Sequence, residues 1–282
     1  MKITKQGMRN NILSIGAITL GLSMIPMTSA FADASTEAAK KLANPISTMI
    51  SVPIQYNYDS DIGEYDTGSK SLVNIQPVIP MSIDEEWNLV TRIIMPVVWQ
   101  SDIGYDPITG IGSGSQSGIG STSASFWASP KEPTENGWIW GAGVATLLPT
   151  ATDDLLGGDQ WGAGPTGIAL KQEGPWTYGG LFNHIWSFAE DKNAKISNTF
   201  LQPFLAYVTP EAITYSINSE STYNWETEEW AVPIHAMVSK VVKVGTQLMS
   251  FQVGVGYWAV SDADSTPEGW RARATVIFIF PK

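Results

Sequence analysis

The stretch from Trp270 to Phe280 narrows the possible folds more than any other. Trp270, Ala272, Ala274, Val276, Phe278 and Phe280 share one parity, and Arg271, Arg273, Thr275, Ile277 and Ile279 the other. An extended backbone turns successive side chains to opposite sides, so this is a strand with one apolar, aromatic face and one that begins with two arginines. In a soluble sandwich the arginines would face water and the aromatics a core. In a membrane barrel the aromatics face lipid and the arginines a polar lumen. Phe280, followed only by Pro281 and Lys282, suits the closing strand of such a barrel.

From Ile46 onward the chain divides into twelve segments of roughly ten residues with turn residues between them. Trp87, Leu89, Ile93, Met95, Val97 and Trp99 oppose Asn88, Arg92 and Gln100. Ile213, Tyr215, Ile217, Tyr223 and Trp225 oppose Thr214, Ser216, Asn218, Glu220, Thr222 and Asn224. In Ile46 to Tyr58 the even positions Ile46, Thr48, Ile50, Val52, Ile54, Tyr56 and Tyr58 share one face, while Ser47, Ser51, Gln55 and Asn57 lie opposite. Met249 to Tyr257 alternates apolar residues with Ser250, Gln252, Gly254 and Gly256. Parity is poorly resolved in the glycine-rich segments Trp138 to Thr150 and Gly162 to Lys171.

Connections alternate in kind. Asp59 to Lys70, Ser101 to Ser117, Ala151 to Trp161, Ala189 to Ile196 and Ser261 to Gly269 are long or acidic, with Glu226 to Glu229 a short exception. Those in between, such as Asp84 to Glu86 and Gln172 to Gly174, are short. Long outer loops and short inner turns in this order predict an all-β, transmembrane, up-and-down antiparallel barrel of about twelve strands, of outer-membrane type.

Strand length separates this from a soluble sandwich. Segments near thirteen residues exceed the usual 5–6 of globular strands but match a tilted bilayer span. Charged residues are only 15% of the chain, against roughly 25% in soluble domains. The formal charge of −11 excludes a basic nucleic-acid-binding surface, and the absence of cysteine excludes disulfides and thiolate metal sites.

The first 32 residues read as an export signal: Lys2, Lys5 and Arg9, then an apolar run from Ile12 to Ile25, then Ala30-Phe31-Ala32 with cleavage after Ala32. Residues 33 to 45 contain a helix-prone piece from Ala38 to Ala43, stopped by Asn44-Pro45; it is either a frayed mature terminus or a periplasmic plug, with the barrel domain from 46 to 282. The expected partners are the bilayer and lipopolysaccharide of the outer membrane, the barrel-assembly machinery and a small-molecule solute.

Asn74-Ile75-Gln76-Pro77-Val78-Ile79-Pro80, Leu148-Pro149-Thr150-Ala151-Thr152-Asp153, Trp161-Gly162-Ala163-Gly164-Pro165, Lys171 to Trp176, Asn183-His184-Ile185-Trp186-Ser187, Leu201-Gln202-Pro203-Phe204 and Phe280-Pro281-Lys282 resemble recurrent blocks of one proteobacterial family. It is labelled phenol-degradation meta-pathway (MetA-pathway) protein, or transporter, and at times, misleadingly, neuromedin U. The resemblance covers essentially the whole mature chain. It implies an outer-membrane barrel passing small hydrophobic or aromatic compounds.

On the polar strand faces, Arg92, Glu220, Arg271, Arg273, His235, Asn218 and Gln252 are the candidate lumen-lining residues, because a charge facing lipid at mid-depth costs about 2–4 kcal/mol. Trp87, Trp99, Tyr223, Trp225, Tyr257 and Phe280 are the candidate aromatic girdle. Catalysis is not expected. His184 and Ser187 differ in parity, and His235 and Ser239 sit about 13 Å apart along one strand, beyond hydrogen-bond reach. No cofactor or metal is expected: Asp153-Asp154, Asp159, Asp262 and Asp264 lack calcium-loop spacing, and Gly110-Ile111-Gly112-Ser113-Gly114 lacks the Lys-Ser/Thr of a phosphate loop. A lipid hydrolase and an adhesive surface barrel stand as alternative functions.

Overall fold

The computed structural model describes residues 29–63, 65–103, 114–188, 195–261 and 267–280, excepting the side chains of 29–33. Most of the expected export signal lies outside the described residues. So do Gly110, Ile111, Gly112 and Ser113 of the glycine-rich loop, Asp262, Asp264, Pro281 and Lys282.

One helix, α1 (Ser29–Leu42), precedes fifteen strand segments among the described residues. These are β1 (Ile50–Ile62), β2 (Gly68–Ile75), β3 (Val78–Ser82), β4 (Trp87–Ser101), β5 (Ser115–Ile119), β6 (Thr122–Pro130), β7 (Trp138–Leu148) and β8 (Gly162–Glu173). There follow β9 (Trp176–Ser187), β10 (Ser197–Val208), β11 (Ile213–Ser219), β12 (Ser221–Asn224), β13 (Glu229–Val244), β14 (Gln247–Val260) and β15 (Gly269–Phe280).

Three pairs of segments are single staves with a local break, so the barrel has twelve staves. β2 and β3 part at Gln76-Pro77, where proline offers no N–H to the ladder, yet register against β4 runs through unchanged. β11 and β12 part at Glu220, whose register position on β13 is Pro233, and register is again unbroken. Between β5 and β6 the register against β4 shifts by one at Gly120-Ser121, a bulge that exchanges the two faces.

Every neighbouring pair is antiparallel. β1 closes on β15 from Ile50↔Phe280 to Asp59↔Arg271, so no edge is left open. Closure is what lets a sheet cross a bilayer, because every backbone group finds its partner inside the protein. Two-residue turns with glycine at positive φ, Gly174 (58°) and Gly245 (62°), join β8 to β9 and β13 to β14 at the end where Ile50 and Phe280 lie. That is the terminal end; the longer connections gather at the other, the loop end.

Two boundaries differ from the alternation. Ile46 carries the parity of the outward face, yet β1 starts only at Ile50. Asn44 Oδ1 accepts from the Ile46 amide at 3.0 Å, and the Ser47 amide donates to Asn44 O at 3.1 Å. This turn sends residues 44–49 across the barrel interior, with Ile46 and Met49 buried there. The expected loop Asp59 to Lys70 is largely strand: β1 reaches Ile62 and β2 begins at Gly68.

The helix-prone piece is no frayed end. α1 buries Ala38 and Ala39 against Met49, Val208, Val241 and Ile279. Val208, Val241 and Ile279 have inward parity on their strands, so the helix sits inside the terminal mouth. Thr36 Oγ1 donates to Pro210 O at 2.8 Å and Gln172 Nε2 to Lys40 O at 2.9 Å, tying α1 to two terminal turns. Beside it Ile46 enters a second apolar cluster with Val90, Trp127, Ile168, Leu170 and Leu181.

Candidate functional site

The closing ladder builds the charged part of the lumen. Arg273 lies opposite Asn57 across the β1–β15 seam and donates from Nε to its Oδ1 at 2.7 Å. Its Nη1 and Nη2 donate to Glu220 Oε1 and Oε2 at 2.9 and 2.8 Å. Two residues toward the loop end, Arg271 donates from Nε and Nη2 to Asp59 Oδ1 and Oδ2, both at 2.8 Å. The Trp258 ring lies 4.6 Å from the Arg271 guanidinium carbon, and its Nε1 donates to Asp59 Oδ1 at 3.0 Å. Two parallel N–H···O bonds fix both the distance and the plane of each pair, so these arginines are held rigidly.

Arg92 is held differently. Its Nη2 donates to Gln76 Oε1 at 2.7 Å, and among the described residues no carboxylate lies within 4.0 Å. His235 is fully buried with Nδ1 3.0 Å from Asn218 Oδ1. Gly256, its cross-strand neighbour, makes the room: a Cβ there would stand 2.6 Å from the His235 ring. Gln252 accepts from Thr275 Oγ1 at 3.2 Å. All seven candidate lumen residues therefore have inward parity, and Arg273–Glu220 and His235–Asn218 are joined directly.

Two cavities occupy the lumen. One, of about 240 Å³, lies under α1 and is bounded by Leu42, Asn44, Ser216, Asn218, Gln252 and Arg273. The other, of about 330 Å³, faces Ser123, Ser125, Trp127, Leu181, Asn183 and Phe200. Gln55, Gln76, Arg92, Gln202 and Glu220 line both, so the cavities meet at this mid-lumen ring. Above it the 149–161 connection folds into the loop-end mouth, where Gln100 Nε2 donates to Leu155 O at 3.1 Å.

The outer face is predominantly apolar, with Ile217, Val238, Val253 and Val255 all exposed at mid-height. Trp87 sits edge-on to Trp140 (5.9 Å) toward the terminal rim, where Phe280 is also exposed. Toward the loop rim Tyr223 contacts Trp225 and Trp230 (both 4.9 Å), Tyr257 contacts Trp270 (5.2 Å), and Trp99 faces outward. A closed band of this extent is stable in lipid and not in water.

His184 has outward parity beside this band. Its Nδ1 is 2.7 Å from Thr199 Oγ1, which also accepts from Trp225 Nε1 at 2.8 Å, and its ring lies 4.0 Å from Trp186. Ser187 Oγ instead accepts from the Ile196 amide at 3.0 Å. Among the described residues no three His, Asp or Glu side chains cluster as a metal site.

Four interior residues escape a strand-by-strand reading. Asp59 and Lys70 sit where a loop is expected, Trp258 lies beyond the segment that ends at Tyr257, and Trp127 follows the bulge. The signal for Asp59 is present: it continues the inward parity of Ser51, Gln55 and Asn57.

No protein-family profile matches the chain, and no curated protein sequence does. Among solved structures, the chain is similar to an outer-membrane channel from Pseudomonas putida F1, with a TM-score of 0.64 and 14% identity over 83% of this chain and 96% of that one. This is an outer-membrane-type β-barrel. Outer-membrane phospholipase A from Escherichia coli matches at a TM-score of 0.47 and 11% identity, over 86% of this chain and 98% of that one. The NanC porin matches at 0.47 and 9%, over 81% and 98%.

Proposed function

We propose that the protein is an outer-membrane channel or transporter that passes small, hydrophobic or aromatic solutes by passive diffusion. The observation that carries this reading is the pair of lumen cavities meeting at one ring, Gln55, Gln76, Arg92, Gln202 and Glu220, inside a closed apolar-belted barrel. Support comes from the likeness to a channel barrel and from the family resemblance in the sequence. In this reading the terminal end faces the periplasm, the long loops face outward, and α1 with residues 44–49 is a plug resting in the periplasmic mouth. The chain is exported by a signal cleaved after Ala32, inserted by the barrel-assembly machinery and surrounded by bilayer and lipopolysaccharide.

Single-channel conductance of the purified protein in a planar bilayer tests this. Discrete steps with defined ion selectivity establish an aqueous path; a folded, inserted and silent protein rules the pore out. The second reading, a lipid hydrolase, draws on the cross-strand pair His184–Thr199 at the outer rim. Loss of phospholipid turnover on Thr199→Ala would establish it, and no fatty-acid release by the unmodified protein would dismiss it.

A further inference from the structure

Arg271 and Arg273 are each bound twice by one carboxylate, whereas Arg92 has a neutral amide as its hydrogen-bonding partner among the described residues. Glu220 shares both cavities with Arg92, but both its oxygens are engaged by Arg273. A guanidinium carries five N–H donors, so most of the Arg92 fork is left for something that enters the lumen. The surrounding charge has the same sense. Lys70, Arg92, Arg271 and Arg273 have inward parity along this wall, against Asp59, Glu220 and, at the loop rim, Glu229, in a chain whose formal charge is −11. Placement, not composition, brings these cations together.

The larger cavity gives the shape of what would bind. At about 330 Å³ it sits at the small end of ligand pockets, and beside Arg92 it has a broad apolar wall of Trp127, Leu147, Leu181, Ile185 and Phe200. Asn198 Oδ1 lines the same cavity, buried and without a partner among the described residues. A carboxylate has no N–H or O–H to give it, so this acceptor takes no part in the anion contact, which rests on Arg92 and the apolar wall.

We propose that Arg92 is the docking cation for small organic monocarboxylates with an apolar body. The carboxylate pairs with the guanidinium fork at the mid-lumen ring, and the body lies against Trp127 and Phe200. This names a substrate class for the channel and rests on that reading for its role in passage, though not for binding itself. Neutral hydrophobic solutes of the same size gain the apolar wall and lose the charged contact.

The test uses purified protein and two probes of one size, benzoate and benzyl alcohol, titrated calorimetrically. Benzoate is expected to bind at least about tenfold more tightly, the scale of one charge-assisted hydrogen bond. Arg92→Gln brings the two probes level, and Arg92→Lys keeps a reduced preference for benzoate. Equal binding of both probes to the unmodified protein overturns the proposal, as does a preference that survives Arg92→Gln in a barrel that still shows folded, heat-modifiable mobility. Should Arg92→Gln fail to fold, the two-probe comparison on the unmodified protein decides alone. Liposome swelling separates the two readings. Glycerol flux with no benzoate preference in binding sinks the anion site and leaves the channel; benzoate binding with no flux of any solute sinks the channel and leaves the site.

Discussion

Toward the terminal end the barrel interior is packed like the core of a soluble domain: Ala38 and Ala39 of α1 meet Val208, Val241 and Ile279, and Ile46 meets Val90, Ile168 and Leu170. Toward the loop end the wall presents Arg271, Asp59, Trp258, Arg273, Glu220 and His235, joined by hydrogen bonds and ion pairs. Apolar packing has no direction and excludes water over its whole area, so it makes a seal. Charged pairs hold atoms at fixed points and leave space between them, so they make a wall that can be wet and selective. On the proposed reading the first region is a stopper and the second a filter, and the two should fail in different ways.

The largest effect is expected from breaking the stopper. Ala39→Asp puts a carboxylate at a position only 1% exposed, where nothing pairs it, and the helix leaves its seat at lower cost than burying the charge. Conductance should rise several-fold while the barrel keeps its folded electrophoretic mobility; unchanged conductance would show that α1 does not obstruct the path. Glu220→Gln strikes the filter. It strands Arg273, whose side chain is 2% exposed, and should cost about 3–5 kcal/mol in urea unfolding, with selectivity moving toward anions. A loss under about 1 kcal/mol would mean that water or Asn57 replaces the carboxylate.

Val253→Arg compares the outer wall with both. Val253 is exposed at mid-height, and an arginine there should cost about 2–4 kcal/mol without changing conductance. A neutral result would place the lipid boundary elsewhere. The smallest effect is expected from Trp258→Phe, which removes one hydrogen bond to Asp59 while Arg271 keeps two. About 1 kcal/mol of stability should go, and selectivity should stay, since no charge moves.

Much of the wall is legible in the sequence. Strand alternation has a period of exact parity, so Arg92, Glu220, Arg271 and Arg273 could be assigned to one face from position alone. The glycine-rich staves β7 and β8 resisted because glycine has no side chain to mark a face; their register with neighbours settles them, with Ala145, Ile168 and Leu170 inward. β5 and β6 resisted for another reason: the bulge at Gly120-Ser121 exchanges faces within one stave and places Trp127 inside.

The sequence by itself determined the number of staves, their alternation, the up-and-down order and the side on which most charges fall. These are consequences of local chemistry, since each strand must show one face to lipid and hide its polar groups on the other. Only the tertiary structure decided which charges meet. Asp59 and Arg271 lie 212 positions apart along the chain, and Arg273 and Glu220 53 apart, and they become neighbours only because closure sets the register and radius of the whole ring. The seat of α1 was likewise undetermined locally. Its apolar face is small, and Ala38 and Ala39 are buried because the barrel happens to offer a mouth lined by Val208, Val241 and Ile279 at that height.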